Sequence, residues 1–364
     1  MDRHSQVRPF KTIEFQFEND RTVCRCKDGV LYEKGPRTVR PAGPQGANTL
    51  ALVQELGIAD LVRPVRYGHP SSTNRMILVK GKLHKLPSSL RSLFVTLPPF
   101  SRPLATAALT DIAASKVECS DTSLHEFVSR RLGPELADYA VSSLVRGICA
   151  GDSRKVSVHF IARYLHQLEQ ETGRICLGVA RDWVKSWYQH QEPCAEEQLD
   201  LVRQARSERW AIWGLENGLE TLTETLSDRV IRDGVEIRLG AGVTSIERDG
   251  DRLRVLGERG VDLGCDEVIM AAPAFRAAKI VRGLDLAASR LLEEIPFVSV
   301  AVVNIEFRGR ILDHQGFGFL VPSSQSDPIL GCIYDSCTFP QVKATDFLVH
   351  ITIYNRTLRE TELC

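Results

Sequence analysis

GPRTVRPAG, at residues 35–43, follows a short apolar run and precedes NTLALVQELG, at residues 48–57, where apolar residues recur at helical spacing. Gly-Pro pairs are typical of turns, and Gly57 at the end of the second segment is a common helix stop. A strand, a turn and a helix are therefore predicted in that order. This order indicates a chain of the mixed α/β class.

Strand signals occur on both sides of a long helical section. Residues 75–86 (RMILVKGKLHKL) alternate around Lys80-Gly81-Lys82, which predicts a hairpin, and a second hairpin is predicted around Asp249-Gly250-Asp251. Residues 268–272 form an apolar run that predicts a buried strand, and a short helix is expected near residues 285–294. Strands are then expected from residue 297 onward.

Between residues 104 and 205 the periodicity is helical, so we expect an α-rich insertion. Caps are predicted at Ser120 or Asp121 and at Ser153 or Ser157, and residues 192–198 (EPCAEEQ) are predicted to form a loop. Before this insertion, residues 86–103 (LPSSLRSLFVTLPPFSRP) place prolines among apolar side chains and cannot form one regular helix. We interpret them as a surface-seeking loop.

Composition excludes several classes of protein. The 46 Lys and Arg residues balance 46 Asp and Glu residues, so no global field favours nucleic acid as a partner. None of the 10 cysteines is spaced as CxxC, which argues against a zinc site, and Cys24-Arg25-Cys26 is an isolated CxC. No apolar run reaches ~18 residues, which excludes a spanning helix but permits attachment to one membrane face.

Gly240-Ala241-Gly242 follows a predicted strand and resembles the start of a dinucleotide fingerprint, GxGxxG. That fingerprint needs a helix to open immediately, so that its N-terminal amides meet the pyrophosphate. Here a β-hairpin follows, and Ser245 occupies the position of the third glycine. We therefore interpret these glycines as structural.

The sequence contains no Walker A, GxSxG, HExxH or EF-hand motif, and its 9 histidines are scattered singly. Arginines beside turns are the unusual feature: Arg37 and Arg40 follow the Gly35-Pro36 turn, Arg75 follows STN, and Arg146 precedes a glycine. A guanidinium held by constrained backbone is a good bidentate receptor for a carboxylate. Each one is also consistent with an ordinary surface ion pair.

The segments that carry these arginines resemble one family, the protoporphyrinogen oxidases, and are most similar to the animal mitochondrial form. The resemblance runs in order from about residue 27 to about residue 353. It rests on residues 35–43 (GPRTVRPAG), 74–75 (NR), 130–135 (RRLGPE), 146–157 (RGICAGDSRKVS), 208–222 (ERWAIWGLENGLETL), 266–274 (DEVIMAAPA), 299–309 (SVAVVNIEFRG), 316–324 (GFGFLVPSS) and 334–340 (YDSCTFP).

The resemblance implies an incomplete FAD-linked oxidoreductase fold of the flavin amine-oxidase type, with a mixed-sheet substrate domain and a helical membrane-binding domain. The implied boundaries are residues 27–60 and 206–285 for the remnant of the FAD-binding domain, 61–75 and 286–353 for the substrate-binding sheet domain, and 76–205 for the helical domain. Residues 1–26 and 354–364 do not match the family.

The resemblance also implies site residues. Arg75 corresponds to an arginine that faces a substrate propionate, and Arg37 lies in a flavin-contacting turn and has been implicated at the active site. Gly147 is implied to offer a backbone carbonyl to the tetrapyrrole, and Phe339 is implied to pack on the macrocycle. The alternative for Phe339 is an ordinary core aromatic. Gly35, Pro36, Arg37, Thr38 and Val243 are the implied contacts of FAD.

The implied reaction transfers hydride from a meso carbon of protoporphyrinogen IX to the flavin, repeatedly until the ring is aromatic, with oxygen as the final acceptor. No dedicated nucleophile is needed, because the cofactor carries the chemistry. A homodimer on the mitochondrial inner membrane, at the intermembrane-space side, is expected. No catalytic side chain and no metal are implied.

Two portions of the family pattern are not found in this sequence: the GxGxxG unit upstream of Gly35 and the C-terminal flavin segment. We therefore expect this chain alone to bind FAD weakly or not at all, as a truncated isoform or an imperfect gene model would. Two rivals remain open. One is a non-catalytic protein for dimerisation or membrane docking, and the other is a different flavin amine-oxidase relative such as a carotenoid desaturase.

Overall fold

The computed structural model describes residues 11–12, 24–27, 30–33, 35–188, 199–308, 312, 315–325, 329–339 and 347–355. The predicted loop at 192–198 lies outside these residues. The chain divides into two compact units. The smaller contains the described residues within 1–23, 33–36 and 219–297, and the larger contains those within 24–32, 37–218 and 298–364.

The strands of the described residues are β1 (Lys11–Thr12), β2 (Cys24–Lys27), β3 (Val30–Glu33), β4 (Val62–Arg66), β5 (Arg75–Val79), β6 (Lys82–Lys85), β7 (Trp210–Leu215), β8 (Glu236–Ile237), β9 (Val243–Asp249), β10 (Arg252–Gly257), β11 (Asp262–Cys265), β12 (Val300–Arg308), β13 (Gly318–Leu320), β14 (Ile329–Tyr334) and β15 (Phe347–Asn355).

The α-helices are α1 (Gly43–Glu55), α2 (Pro70–Thr73), α3 (Thr106–Ala113), α4 (Leu124–Leu132), α5 (Ser142–Cys149), α6 (Val158–Ile161), α7 (Arg163–Thr172), α8 (Ile175–Tyr188), α9 (Asp200–Ser207), α10 (Glu220–Arg232), α11 (Ala274–Val281), α12 (Leu286–Glu293) and α13 (Asp335–Thr338). A 3-10 turn lies at Arg91–Phe94 and a π-helical turn at Leu136–Val141. Among the residues described, no helix combines the length and the apolar composition that crossing a membrane requires.

The larger unit is built on a six-stranded sheet in the order β12-β15-β14-β13-β5-β6. Only the β13–β5 pair is parallel, and the other neighbours are antiparallel. The predicted hairpin of residues 75–86 is confirmed as β5 and β6. Lys80 and Gly81 have φ values of 52° and 72° at its two-residue turn, the left-handed geometry that suits the twist of a tight hairpin.

The α-rich insertion is confirmed in the larger unit, where an apolar cluster that includes Phe127 and Val145 forms its core. Buried charges tie its helices together. Arg131 of α4 contacts Asp111 of α3 at 2.6 Å, and both side chains are fully buried. Asp111 also accepts hydrogen bonds from the first two N–H groups of α8, at 3.2 and 2.8 Å. These otherwise unpaired helix-terminal donors are thereby satisfied.

Helix boundaries differ from the predictions in detail. Ser157 caps α6 as predicted, but the cap of α4 is Ser123, whose hydroxyl accepts the N–H of Glu126 at 3.1 Å. Ser123 is the N-cap of α4 because its hydroxyl lies three residues before that N–H, which is the spacing of an N-cap hydrogen bond. The short 3-10 turn in residues 86–103 agrees with the prediction that no regular helix forms there.

In the smaller unit, β9, β10 and β11 form an antiparallel sheet, and the predicted hairpin at residues 249–251 is confirmed. Helix α11 packs on β9 over a core of Ile246, Val255 and Ile280. The predicted buried strand at residues 268–272 is wrong: the segment pairs with no described strand, and Ile269 is 90% exposed. An apolar run in the sequence does not show whether a neighbouring strand is present to pair with it and bury it.

Candidate functional site

Arg37 and Asp335 form a buried ion pair in the larger unit. Arg37 Nη1 lies 2.5 Å from Asp335 Oδ1, and each side chain is only 7% exposed. Asp335 is the first residue of α13 and directly follows β14, so the end of that strand places its carboxylate. A protein carboxylate therefore already engages the guanidinium that the sequence associates with the active site.

Phe339 lies at the other end of α13 and is buried among Val65, Ile212 and Phe317. Its ring presses against Gly214 of β7, where an added Cβ would lie 2.8 Å from Phe339 Cζ and 3.0 Å from the carbonyl oxygen of Arg37. Glycine is thus required at position 214 for this close approach. The packing fixes the ring beside the Arg37 backbone.

Gly147 lies in the last turn of α5, against Leu320 of β13. An added Cβ would lie 2.5 Å from Leu320 Cδ2, so no larger residue fits without a shift of Leu320. No described group donates a hydrogen bond to the carbonyl of Gly147, as is usual for a helix C-terminus. This carbonyl is the acceptor that the sequence predicts to face a ligand.

Three contacts dock α5 on the loop after β13. Ser142 and Ser323 bond through their hydroxyls at 2.6 Å, and the buried Arg146 donates to the carbonyls of Val321 and Pro322 at 3.2 and 2.8 Å. Together with the close packing of Gly147, they hold the helix end in one place. Arg146 is therefore a structural residue rather than a receptor for a ligand.

Arg75 begins β5 opposite Gly318 of β13, and its side chain is exposed. Partial burial of the guanidinium lowers the pKa of Arg75, and the nearby charge of Arg40 lowers it further, while Tyr67 opposes the shift. Arginine nevertheless stays protonated near neutral pH. No carboxylate within the described residues pairs with Arg75, so two like charges, Arg75 and Arg40, are placed to attract an anion.

The predicted substrate residues fall into two groups. Arg75 and Gly147 lie next to β13, opposite Gly318 and against Leu320, and Arg37 and Phe339 lie around α13. Phe317 donates its N–H to Asn74 and accepts one from Tyr334, at 3.2 and 2.9 Å, and its ring joins the cluster of Phe339. The structure therefore places two of the predicted residues beside β13 and two around α13, all within the larger unit.

Sequence reasoning missed two members of this region, Asp335 and Leu320. Asp335 carried a signal, because a carboxylate directly after an apolar strand needs a cationic partner if the strand is buried. Leu320 carried none, since nothing in the sequence indicates which leucine will cover Gly147.

The comparisons with known proteins identify the class. The family described as flavin containing amine oxidoreductase matches residues 21–360, and the chain belongs to that family. Crystal structures show the same fold. One from Exiguobacterium sp. 255-15 has a TM-score of 0.71 at 21% identity, with 95% of this chain and 71% of that one covered. Cyclohexylamine oxidase from Brevibacterium oxydans IH-35A has a TM-score of 0.58 at 14% identity, over 94% and 69%.

The relatives within the class are protoporphyrinogen oxidases. The bovine enzyme is 41% identical over 319 residues, which cover 87% of this chain and 65% of the bovine one. The human enzyme is 38% identical over 329 residues, which cover 90% and 67%. The resemblance predicted from the sequence is confirmed, and the chain spans about two thirds of the length of these relatives.

FAD is the cofactor that this family implies, and three of the predicted FAD contacts lie in the smaller unit. Gly35 is half-buried, Pro36 is exposed, and Val243 is the half-buried first residue of β9. Arg37 is buried and Thr38 half-buried in the larger unit. The positions of these residues do not test their contacts with FAD, so the contacts stay predictions.

The glycines before Val243 have neighbours of their own. An added Cβ at Gly240 would lie 2.8 Å from Arg259 Nη1, and one at Gly242 would lie 3.3 Å from the carboxylate of Glu258. Among the residues described in the smaller unit, no glycine-rich turn joins a parallel strand to a helix, the arrangement that cradles a dinucleotide pyrophosphate. The described residues therefore do not fit the phosphate half of FAD.

Proposed function

We propose that the chain oxidises protoporphyrinogen IX to protoporphyrin IX when FAD, the family's hydride acceptor, is supplied in excess, with oxygen as the final acceptor. Excess FAD is needed because the described residues do not fit the phosphate half of the cofactor. The observation that supports this activity most strongly is the 38–41% identity to animal protoporphyrinogen oxidases across 87–90% of the chain. The family match over residues 21–360 includes Arg75, Gly147 and Phe339.

Each of these residues has a part that its chemistry fits. The paired charges of Arg75 and Arg40 receive a propionate carboxylate. The carbonyl of Gly147 accepts a pyrrole N–H, since it has no donor of its own among the described groups. Phe339 packs its fixed ring on the macrocycle, where aromatic contact favours a flat ligand.

The test is the appearance of protoporphyrin fluorescence when the purified chain, supplied with FAD, is mixed with protoporphyrinogen IX. The proposal predicts formation faster than the spontaneous oxidation in air, with Arg75→Met slower by roughly tenfold or more for loss of a charged contact. Arg203→Gln on α9 is the matched control, because Arg203 is exposed and, among the described residues, its one ion pair is with Asp200. A rate equal to the spontaneous one would contradict the proposal.

We also propose that the helical part of the larger unit rests on the mitochondrial inner membrane. Two of its large apolar side chains stand out in the 3-10 turn at Arg91–Phe94 and just before it: Leu90 is 79% exposed and Phe94 is 72% exposed. In α3, Leu109 is 67% exposed, whereas the single charged residue of that helix, Asp111, is fully buried. The outer face of α3 therefore carries no charge.

The apolar surface continues onto α8, which packs beside α3. Leu177, Trp183 and Val184 are 51%, 60% and 49% exposed on that helix. An exposed apolar surface that includes a tryptophan is typical of proteins that sit in the headgroup region of a bilayer. The two helices together support a one-sided attachment.

Flotation with vesicles of phosphatidylcholine and cardiolipin tests this attachment. Leu90→Glu and Phe94→Glu should each reduce the bound fraction, by about tenfold in affinity, because burial of such a side chain contributes ~1.5–3 kcal/mol. Leu291→Glu is the matched control, since Leu291 is 65% exposed on α12 of the other unit. Equal losses of vesicle binding for all three variants would indicate nonspecific hydrophobic binding rather than a membrane-docking face.

A further inference from the structure

A pocket lies in the larger unit beside Phe339, lined by residues of β4 and of the start of α2. Its volume is about 390 Å³, and its polar walls are Arg63, Arg66 and His69. Val65 and Phe339 supply apolar wall. The combination of basic side chains with an aromatic surface suits a flat, apolar ring that carries an anionic group.

His69 lines this pocket, and one of its ring nitrogens is already an acceptor. Its Nδ1 accepts the backbone N–H of Ser71 at 3.2 Å. In the neutral imidazole the proton is therefore on Nε2, since one ring nitrogen accepts and the other donates. No described group accepts a hydrogen bond from Nε2, which leaves this donor for a ligand.

The arginines are held in place by carboxylates that do not line the pocket. Arg66 Nη2 contacts Glu208 at 2.5 Å, and Arg63 Nη2 contacts Glu216. Hydrogen bonds from Trp210, Gln204 and Arg66 lower the pKa of Glu208 to about 2, so its carboxylate stays ionised. Each guanidinium has five N–H donors, and the carboxylate occupies only part of this set.

We infer that this pocket is a carboxylate subsite, in which His69 Nε2–H and the guanidinium of Arg66 bind an acid group carried by a flat pyrrolic or aromatic ring. It is distinct from the Arg75–Arg40 pair, because its donors come from β4 and α2. Under the proposed function, on which this part of the inference rests, that acid group is a propionate of the porphyrinogen.

Indole-3-propionate is the probe, because it joins a pyrrole ring to a propionate, and indole-3-propionamide is its uncharged counterpart. Ligand-observed NMR titrations of the purified chain give both affinities. The acid should bind at least about tenfold more tightly than the amide, the effect of one charge-assisted hydrogen bond. Equal affinities, or no binding of the acid, would overturn the inference.

Two variants locate the binding. Arg66→Gln and His69→Ala should each weaken binding of the acid by about tenfold, whereas Arg203→Gln should leave it unchanged. Because His69 also caps α2, circular dichroism checks folding of His69→Ala, and Arg66→Gln leaves the cap intact. Unchanged affinity in Arg66→Gln and in a folded His69→Ala would overturn the inference.

Protoporphyrin IX separates this inference from the proposed function. Binding that depends on Arg75 but not on Arg66 or His69 would remove the subsite and leave the proposed function. Binding of the indole acid through His69, by a chain that does not bind the porphyrin, would remove the proposed function and leave the subsite.

Discussion

Arg37 and Asp335 stand 298 positions apart in the chain and meet in a buried contact. The pair joins the turn before α1 to the start of α13, which leads to Phe339. A buried ion pair is costly to break, because loss of one partner leaves an uncompensated charge in a region of low dielectric. Loss of the Arg37–Asp335 pair should therefore also disturb the position of Phe339, which is predicted to contact the ligand.

Asp335→Asn should lower the free energy of unfolding by about 3–5 kcal/mol, since it leaves the Arg37 guanidinium buried without its anion. The measurement is urea unfolding followed by tryptophan fluorescence. The exposed pair on α9 provides the control, because Asp200→Asn removes a contact worth only ~0–1 kcal/mol. A loss as small as that of Asp200→Asn would show that the Arg37 contact contributes little.

Gly147→Ala should destabilise the fold by no more than about 1 kcal/mol, because its methyl group displaces only the end of the Leu320 side chain and alanine is favoured over glycine within a helix. Leu320→Ala removes the colliding group, so the double variant should lose less than the two single losses combined. Four unfolding curves give this coupling. Strict additivity would mean that residues 147 and 320 do not contact each other in solution.

At the scale of elements, the helices of the larger unit depend on a buried carboxylate. Glu169 of α7 accepts two hydrogen bonds from Arg130 of α4, at 2.7 and 3.0 Å. Burial by itself would raise the pKa of Glu169, but these bonds, the N–H of Val117 and the charges of Arg130 and Arg131 outweigh it and lower the pKa. The charged form of Glu169 thus stabilises the folded protein.

The pH dependence follows from this direction. Because the folded pKa of Glu169 lies below its ordinary value of 4.5, the stabilisation is present above about pH 4.5 and is lost as the pH falls through the folded pKa. Glu169→Gln should therefore flatten the fall in unfolding free energy below about pH 4.5.

Glu171→Gln is the matched control for Glu169→Gln, since Glu171 lies on the same helix with its side chain 57% exposed. Urea midpoints across that pH range are the readout. If the parent, Glu171→Gln and Glu169→Gln lose stability in parallel, Glu169 is not the group responsible.

The elements that could be predicted are those whose signals are local. The hairpin at Lys80-Gly81 follows from a turn whose residues adopt positive φ, and the Ser157 cap follows from its spacing to the next N–H. The strand at residues 268–272 failed because strand formation needs a neighbouring strand, which an apolar run does not reveal. The contact of Arg37 with Asp335 was not predicted, because tertiary pairing between distant residues has no local signal.

The candidate site could be predicted only through the resemblance to a family. Arg37, Arg75, Gly147 and Phe339 were named through resemblance, and the fold gathers them around β13 and α13. The basic pocket beside Phe339 could not be predicted, because Arg66 and His69 look like ordinary surface residues in the sequence. Only the packing of α2 against β4 places them beside the ring.

At the scale of the whole molecule, the chain belongs to the flavin amine oxidoreductases and is similar to animal protoporphyrinogen oxidases. Its larger unit contains the predicted substrate residues, and its smaller unit contains Gly35, Pro36 and Val243. The central claim is that the larger unit carries a porphyrin site with a carboxylate receptor at Arg75.

A protoporphyrin IX titration of the purified chain, followed by the shift in porphyrin absorbance, tests this claim most directly. Binding should weaken by about tenfold in Arg75→Met and by a similar factor when the dimethyl ester replaces the free acid, because each removes the same charged contact. Arg203→Gln should bind like the parent. Equal binding of acid and ester, with no effect of Arg75→Met, would contradict the claim.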